Sequence, residues 1–322
     1  MLVYIKPLSI FPELHSDTIF GAILSAISEL YPPEKVEDLL LKFKDNPPFL
    51  VSSSFPYVSN GKEKIRFFPK IIESKKESSD KNDLTGNDFH DENLDSKKKY
   101  KKVDFIEESL FFKLSSGDMK ELDIINNLKD YTIKSNLLFK KTLDIKGKHK
   151  KTITPNNTIN RITLESEAIF YSEGFEFTDM GLFFLVDFRE KEYEDMVCSA
   201  IKFLKDRGFG RDISIGKGHF DYEIDDDYRL VENKGNYFIT LSRFIPNTED
   251  LSKINEYSGY EIDSKRGKSS GGELRKQVRF FKEGSTFASY KEFYGQIVES
   301  GKDSPAIEYG YAFPMNYNKE DD

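Results

Sequence analysis

The chain has no tryptophan, one cysteine and four histidines in 322 residues. Nor does it contain any apolar run near the ~20 residues that a membrane-spanning helix needs. Cys198 alone excludes an internal disulfide and a cysteine-rich zinc site. His15, His90, His149 and His219 are scattered without metal-ligand spacing, so neither a metal nor another cofactor is expected. The opening segment Met1–Lys6 reads as a strand rather than a signal peptide, because Lys6 and Pro7 cut its apolar run short. A cytoplasmic protein with no membrane attachment is the expectation.

What is abundant is phenylalanine and tyrosine, 28 and 17 residues. They supply a core and also flat faces on which nucleic-acid bases stack. A net charge of −8 argues against nucleic acid as a partner, but its distribution argues for one. Lys140–Arg161 holds seven basic residues and one acid, and Ser264–Arg279 six and one. The acids gather in Asp187–Asp195, Asp221–Asp227 and the last three residues. Charge separated in this way suits RNA on one face and a protein partner or solvent on another.

A strand over Leu2–Ile10 precedes a helix that Ser16 caps, with Ile19, Phe20, Ile23, Leu24 and Ile27 at helical spacing. Pro32-Pro33 ends it. A short amphipathic stretch follows over Lys35–Lys44, then strands over Phe49–Ser59 and Ile65–Ile72. Glu73–Asp104 is charged at 17 of 32 positions and reads as a surface insertion without secondary structure. The basic stretch then leads into Ile159–Tyr171, one arm of a hairpin. Gly181–Phe188 has the length and apolarity of a central strand, and Glu190–Asp206 the spacing of a helix. The order strand, helix, strands, helix, strand is that of an α+β, ferredoxin-like or RRM-like domain. Shorter strands and a helix at Thr248–Ile254 suggest a second, smaller one. Two tandem ferredoxin-like domains are therefore expected, 1–232 and 233–322, with a mobile insertion at 73–104 and a basic thumb near 140–170.

Gly208–Gly218 carries four glycines in eleven residues. It permits positive φ angles and close backbone approach, and successive amides in such a loop can form an anion nest. A dinucleotide fingerprint needs a third glycine where Ile213 stands, and a P-loop needs Ser or Thr where Gly218 stands. Both of those loops run from strand to helix, whereas this one runs from helix to strand. An RNA backbone is the better ligand.

Several segments in order resemble one family. They are His15-Ser16-Asp17-Thr18-Ile19-Phe20-Gly21-Ala22-Ile23, Phe55-Pro56-Tyr57 with Phe67-Phe68-Pro69-Lys70, and Asn160-Arg161-Ile162-Thr163 with Phe170-Tyr171. Arg207-Gly208-Phe209-Gly210 with Gly216-Lys217-Gly218 follows, then Tyr260–Gly267 with Glu283-Gly284-Ser285, and Tyr309–Pro314. Together they resemble the RAMP superfamily, and within it the fourth subunit of the type III-A CRISPR Csm effector complex. The likeness spans the chain except Glu73–Asp104. The segment Arg211-Asp212-Ile213-Ser214-Ile215 is less rich in glycine and serine than that family's loop.

The resemblance implies a non-catalytic subunit that binds the repeat-derived 5′ handle of crRNA. It would link the large signature subunit to the backbone RAMP subunits, as a single copy rather than a homo-oligomer. The expected RNA contacts are the loop residues Gly208, Phe209, Gly210, Ser214, Gly216 and Gly218, with charge from Arg207, Arg211 and Lys217. Splayed bases would stack on Phe209 or on other exposed aromatics. Lys148, Lys150 and Arg161 belong to the thumb. Ser16 and the first helix N-terminus would offer amides to a phosphate, and His15 would meet a base or a 2′-OH. The rival reading is a metal-independent endoribonuclease with His15 as general base and His149 or His219 as its second group. A metal-dependent nuclease built on Asp225-Asp226-Asp227 is disfavoured, since an acidic run after a strand is usually a solvated turn. A protein-interaction module remains a third class.

Overall fold

The computed structural model describes residues 1–60, 63–74, 87–210, 212–231, 235–255, 257–267, 274–301 and 306–319. A sheet of nine strands forms its centre. Its order is Phe220–Asp225, Leu2–Pro7, Met180–Phe188, Phe55–Asn60, Glu63–Pro69, Phe105–Glu107, Leu137–Lys140 and Tyr131–Lys134. Phe49–Val51 also pairs with Met180–Phe188. All neighbours are antiparallel except Phe105–Glu107 with Leu137–Lys140, so the sheet is mixed. Met180–Phe188 is buried along seven of its nine residues, as its apolar run predicts. At Gly181 a side chain would meet Ile5 O and the Tyr57 ring at 2.5 Å, which is why the strands close here on a glycine.

Helices Ser16–Leu30 and Glu194–Arg207 connect these strands and pack on one another. The expected single strand Phe49–Ser59 is broken at Ser52-Ser53-Ser54. The break receives the start of the first helix. The Ser16 amide donates to Ser53 Oγ at 2.9 Å, and the Ser54 amide to Leu14 O at 2.9 Å. Ser16 is therefore not the N-cap. His15 occupies that position without a side-chain cap bond, and Ser16 is fully buried.

The charged insertion is not wholly irregular, because Asn87–Tyr100 is a helix. Charge alone concealed it: Lys99 pairs with Asp95 one turn back, and buried Tyr100 and Val103 tie its end to the core. Lys148–Ile159 and Ser166–Thr178 form a separate two-stranded hairpin, Lys148 opposite Thr178. The basic stretch is thus itself one arm, and Ile159–Tyr171 spans the tip as well as part of the other arm. At the tip, Asn160 Oδ1 accepts from the amides of Ile162 and Thr163.

Beyond residue 235 the strands divide among three small antiparallel sheets. One has Tyr237–Thr240 between Thr286–Ala288 and Pro314–Tyr317. Among the described residues there, one five-residue helix, Thr248–Ser252, stands where a second βαββαβ unit would carry two longer ones. This half has two small clusters of its own, around Phe238 and around Ile245, but part of it packs into the core of the first half. Tyr309, Tyr311, Phe313 and Met315 join the same buried cluster as Phe20, Phe43 and Phe49. The Tyr309 ring stacks on Phe20 at 4.7 Å, and its hydroxyl accepts the Val51 amide at 2.9 Å.

A polar clasp at the start of the first helix completes the join. His15 Nδ1 lies 2.9 Å from Glu283, and its Nε2 3.5 Å from Glu13. Ser53 Oγ donates to the same Glu283 oxygen. Asp17, almost wholly buried, pairs with Arg243 at 3.2 Å and with Lys265. Lys265 reaches Glu308 at 2.7 Å, and Arg275 reaches the other Glu308 oxygen at 3.2 Å. Burial pulls the His15 imidazole toward its neutral form, but the bonds to Glu13 and Glu283 outweigh it and hold its pKa up at about 9. Burial would raise the Glu283 carboxyl, yet His15 and Ser53 bring it down to about 2.

Two outcomes follow from a shared core and this clasp. Urea unfolding gives one transition for both halves, and Tyr309→Phe, which orphans the buried Val51 amide, lowers stability by about 1–3 kcal/mol without splitting that transition. Two separated transitions in the wild type would refute the shared core. The second outcome concerns pH. The folded chain keeps a proton on His15 that the unfolded chain releases near 6.5, so stability falls as pH rises from 6.5 to about 9. His15→Gln flattens that slope in unfolding measured at stepped pH; an unaltered slope would rule the clasp out.

Candidate nucleic-acid interface

The glycine loop runs from the helix Glu194–Arg207 to the strand Phe220–Asp225. Gly208, Gly210, Gly216 and Gly218 all have positive φ, between 75° and 98°. Two of them are steric necessities. A Cβ on Gly218 would fall 1.8 Å from Phe209 O, and one on Gly208 3.1 Å from Gly218 O. These two close the neck of the loop through the Phe209 amide to Gly218 O, at 2.9 Å. Gly210 and Gly216 are exposed and bend the backbone at its rim.

Four of the loop's amides are not available to an anion nest. Those of Gly208, Phe209, Gly216 and Gly218 already donate to Leu204, Gly218, Ile213 and Ile10 carbonyls. Helix capping takes the first, the neck the second, the four-residue 3₁₀ turn Asp212–Ile215 the third and the run after the first strand the last. Arg211 lies outside the described residues, as do the side chains of Ser214 and Asp212.

Ile10, Phe11 and Pro12, leaving the first strand, run between the loop and the hairpin. The Gly218 amide bonds Ile10 O, and Phe11 exchanges both backbone bonds with Phe175 at 2.8 and 2.9 Å. Gly174 lets them cross, since a Cβ there would sit 2.4 Å from Ile10 Cγ2. A groove of about 450 Å³ opens along this seam. The Lys217 ammonium spans it to the Ser172 hydroxyl. Pro12 and Gly210 line it together with Phe170, Tyr171, Ser172 and Glu173 of the hairpin. Lys148 and Lys150 stand exposed on the hairpin's basic arm, and Arg161 is exposed at its tip.

The remaining expected contacts are engaged elsewhere. Phe209 is 5% exposed and set edge-on to Phe11 at 5.9 Å, so it offers no open face to a base. Arg207 is paired with Glu29. Ser16 is buried, and its Oγ accepts from the Arg243 amide at 3.0 Å, so neither it nor its amide reaches a phosphate. His15 is held in the clasp. His149 lies between the rings of Phe175 and Phe177, with its pKa lowered by burial. Asp225 Oδ1 accepts from the amides of Asp227 and Tyr228, which makes the acidic run a turn. Among the described residues no group of His, Cys, Asp and Glu is arranged to hold a metal ion. Neither is any helix there long and apolar enough to cross a membrane.

Sequence reasoning missed Ile10, Pro12, Phe170 and Ser172 as groove residues. For Phe170 and Ser172 a signal existed, the alternation of faces along the second arm. The crossing of Ile10–Pro12 has none, because it depends on tertiary contacts alone.

Comparison with known proteins bears on this arrangement. The RAMP superfamily model matches residues 9–221, and that of the CRISPR Csm4 C-terminal domain matches residues 233–317. A protein of Thermococcus onnurineus described as "CRISPR system Cms protein Csm4" is 24% identical over 301 residues, 93% of this chain and 90% of the relative. A protein of the same description from Methanocaldococcus jannaschii is 25% identical over 286 residues, covering 77% and 71%. Among solved structures, a chain of the Csm3–Csm4 subcomplex of the type III-A CRISPR-Cas interference complex superposes with a TM-score of 0.67. Identity there is 18%, with 99% of each chain covered. A chain of a Csm1–Csm4 cassette in complex with pppApA gives 0.57 at 18% identity, covering 100% and 98%. At such identities these two establish the fold alone. Matched by the superfamily model from residue 9 to residue 221, the chain belongs to the RAMP superfamily and ends in a domain of the CRISPR Csm4 type.

Proposed function

We propose that this chain is a non-catalytic, RNA-binding scaffold subunit of a type III-A CRISPR complex. It holds the 5′ handle of crRNA and joins the large signature subunit to the backbone RAMP subunits. The observation that carries the RNA reading is the groove between the glycine loop and the basic hairpin, with Lys217 at its seam. Support for the assembly comes from the relatives, which are named Csm4, and from the structural neighbours, which occur with Csm1 and with Csm3. In this reading the first half is a ferredoxin-like domain and the second a reduced version of it, and the hairpin Lys148–Thr178 is the thumb.

Lys148, Lys150, Arg161 and Lys217 meet phosphates, and Arg211 and Ser214 are proposed as further contacts on sequence grounds alone. Gly210 and Gly216 let the strand approach the rim. Arg207, Gly208, Phe209 and Gly218 act from behind by fixing the loop. His15 and Ser16 set the first helix and, through it, the Ile10–Pro12 seam.

The endoribonuclease reading needs a neutral, accessible imidazole to take a proton from a 2′-OH. His15 is held charged between two carboxylates, the opposite condition. Repeat-derived RNA incubated with the full chain in a chelator is bound and stays intact; cleavage abolished by His15→Ala would overturn the scaffold reading. Replacing Lys148, Lys150 and Lys217 by Ala weakens binding and flattens the dependence of log affinity on log salt by about 0.7 for each phosphate that is no longer neutralised. An unchanged slope would leave protein contacts as the chain's whole role.

A further inference from the structure

Alternation along Ser166–Thr178 turns Phe170, Ser172 and Gly174 to one face of the hairpin and Ile169, Tyr171 and Glu173 to the other. The first face carries the Ser172 hydroxyl that holds Lys217. It is also the face of Asn156, opposite Phe170 in the register, whose Nδ2 donates to Ser172 Oγ at 2.8 Å and to Thr154 O at 3.2 Å. A phenyl ring 47% exposed therefore lines the same groove as an ammonium group, in a surround of amide and hydroxyl groups.

From this juxtaposition, and resting on the reading of the groove as an RNA site, we infer that Phe170 is the stacking face for one unpaired base of the bound strand. The ring supplies the flat apolar surface and Lys217 the charge for the adjoining phosphate, the two parts that hold one nucleotide of single-stranded RNA. Of the other rings at the groove, Phe11 and Phe209 are buried, and Tyr171, though exposed, alternates to the face opposite Ser172. A groove of about 450 Å³ has the capacity of a nucleotide-sized ligand.

The absence of tryptophan from the chain makes the test direct. Phe170→Trp places a single indole in the groove, and stacking of a base quenches its emission when handle RNA is added to the full chain. Ile169→Trp, on the opposite face, keeps its emission. Phe170→Ala loses about tenfold in affinity with the salt slope unchanged, since a ring and not a charge is removed. Two results together would overturn the inference: an unquenched indole at position 170, and wild-type affinity in Phe170→Ala. If Lys217→Ala still weakened binding, the RNA reading of the groove would survive that outcome. Failure of the wild-type chain to bind handle RNA overturns both.

Discussion

The arrangement of this molecule depends on the charges buried where its first helix begins. Asp17 and Glu308 lie out of water, and each is satisfied by two cations, with Lys265 shared between them. Removing such groups from water costs several kcal/mol per ion, and only a closed set of partners offsets it. The set is closed by residues from both halves of the chain. Without the C-terminal half, Asp17 loses Arg243 and Lys265, and His15 loses Glu283. The start of the first helix is fixed by the far end of the sequence. Leu14 and Ser16 are fixed with it, as is the run Ile10–Pro12 that supports the hairpin and the glycine loop together.

Charge count and charge availability differ in this chain. Several basic residues near the groove have acidic neighbours that occupy them: Lys151 with Glu173, Arg207 with Glu29, Lys205 with Asp221. The net of −8 is thereby reconciled with a cationic seam, because pairing removes cations from some surfaces while Lys148, Lys150 and Arg161 stay exposed.

Much of the N-terminal half was legible in sequence. The helical spacing of Ile19, Phe20, Ile23 and Ile27, the apolar run of Met180–Phe188 and the helix-to-strand setting of the glycine loop each have a local cause. What escaped depends on distant partners. Ser16 has the chemistry of an N-cap, but Ser53 and Arg243 claim it from 37 and 227 residues away. Phe209 looks like a stacking platform until Phe11 and Phe220 cover it. The loop's glycines announce an unusual backbone without saying that the amides of Gly208, Gly216 and Gly218 are spent. In the C-terminal half, strands of three or four residues leave too short a period to read, so its division into three small sheets was not visible.

The anchoring of the hairpin at Phe11–Phe175 separates two dimensions of the molecule. Groove width is set at the anchor, by Ile10–Pro12 and the neck of the loop. Reach is set by the ladder beyond it, from Thr152–Gly174 out to Ile159–Ser166, which at 3.4 Å per residue extends roughly 25 Å. Adding or deleting one pair of residues on each arm changes the reach by about 7 Å, keeps every side chain on its own face, and leaves the grip untouched. The hairpin can therefore be re-gauged in length while the groove at its base stays the same.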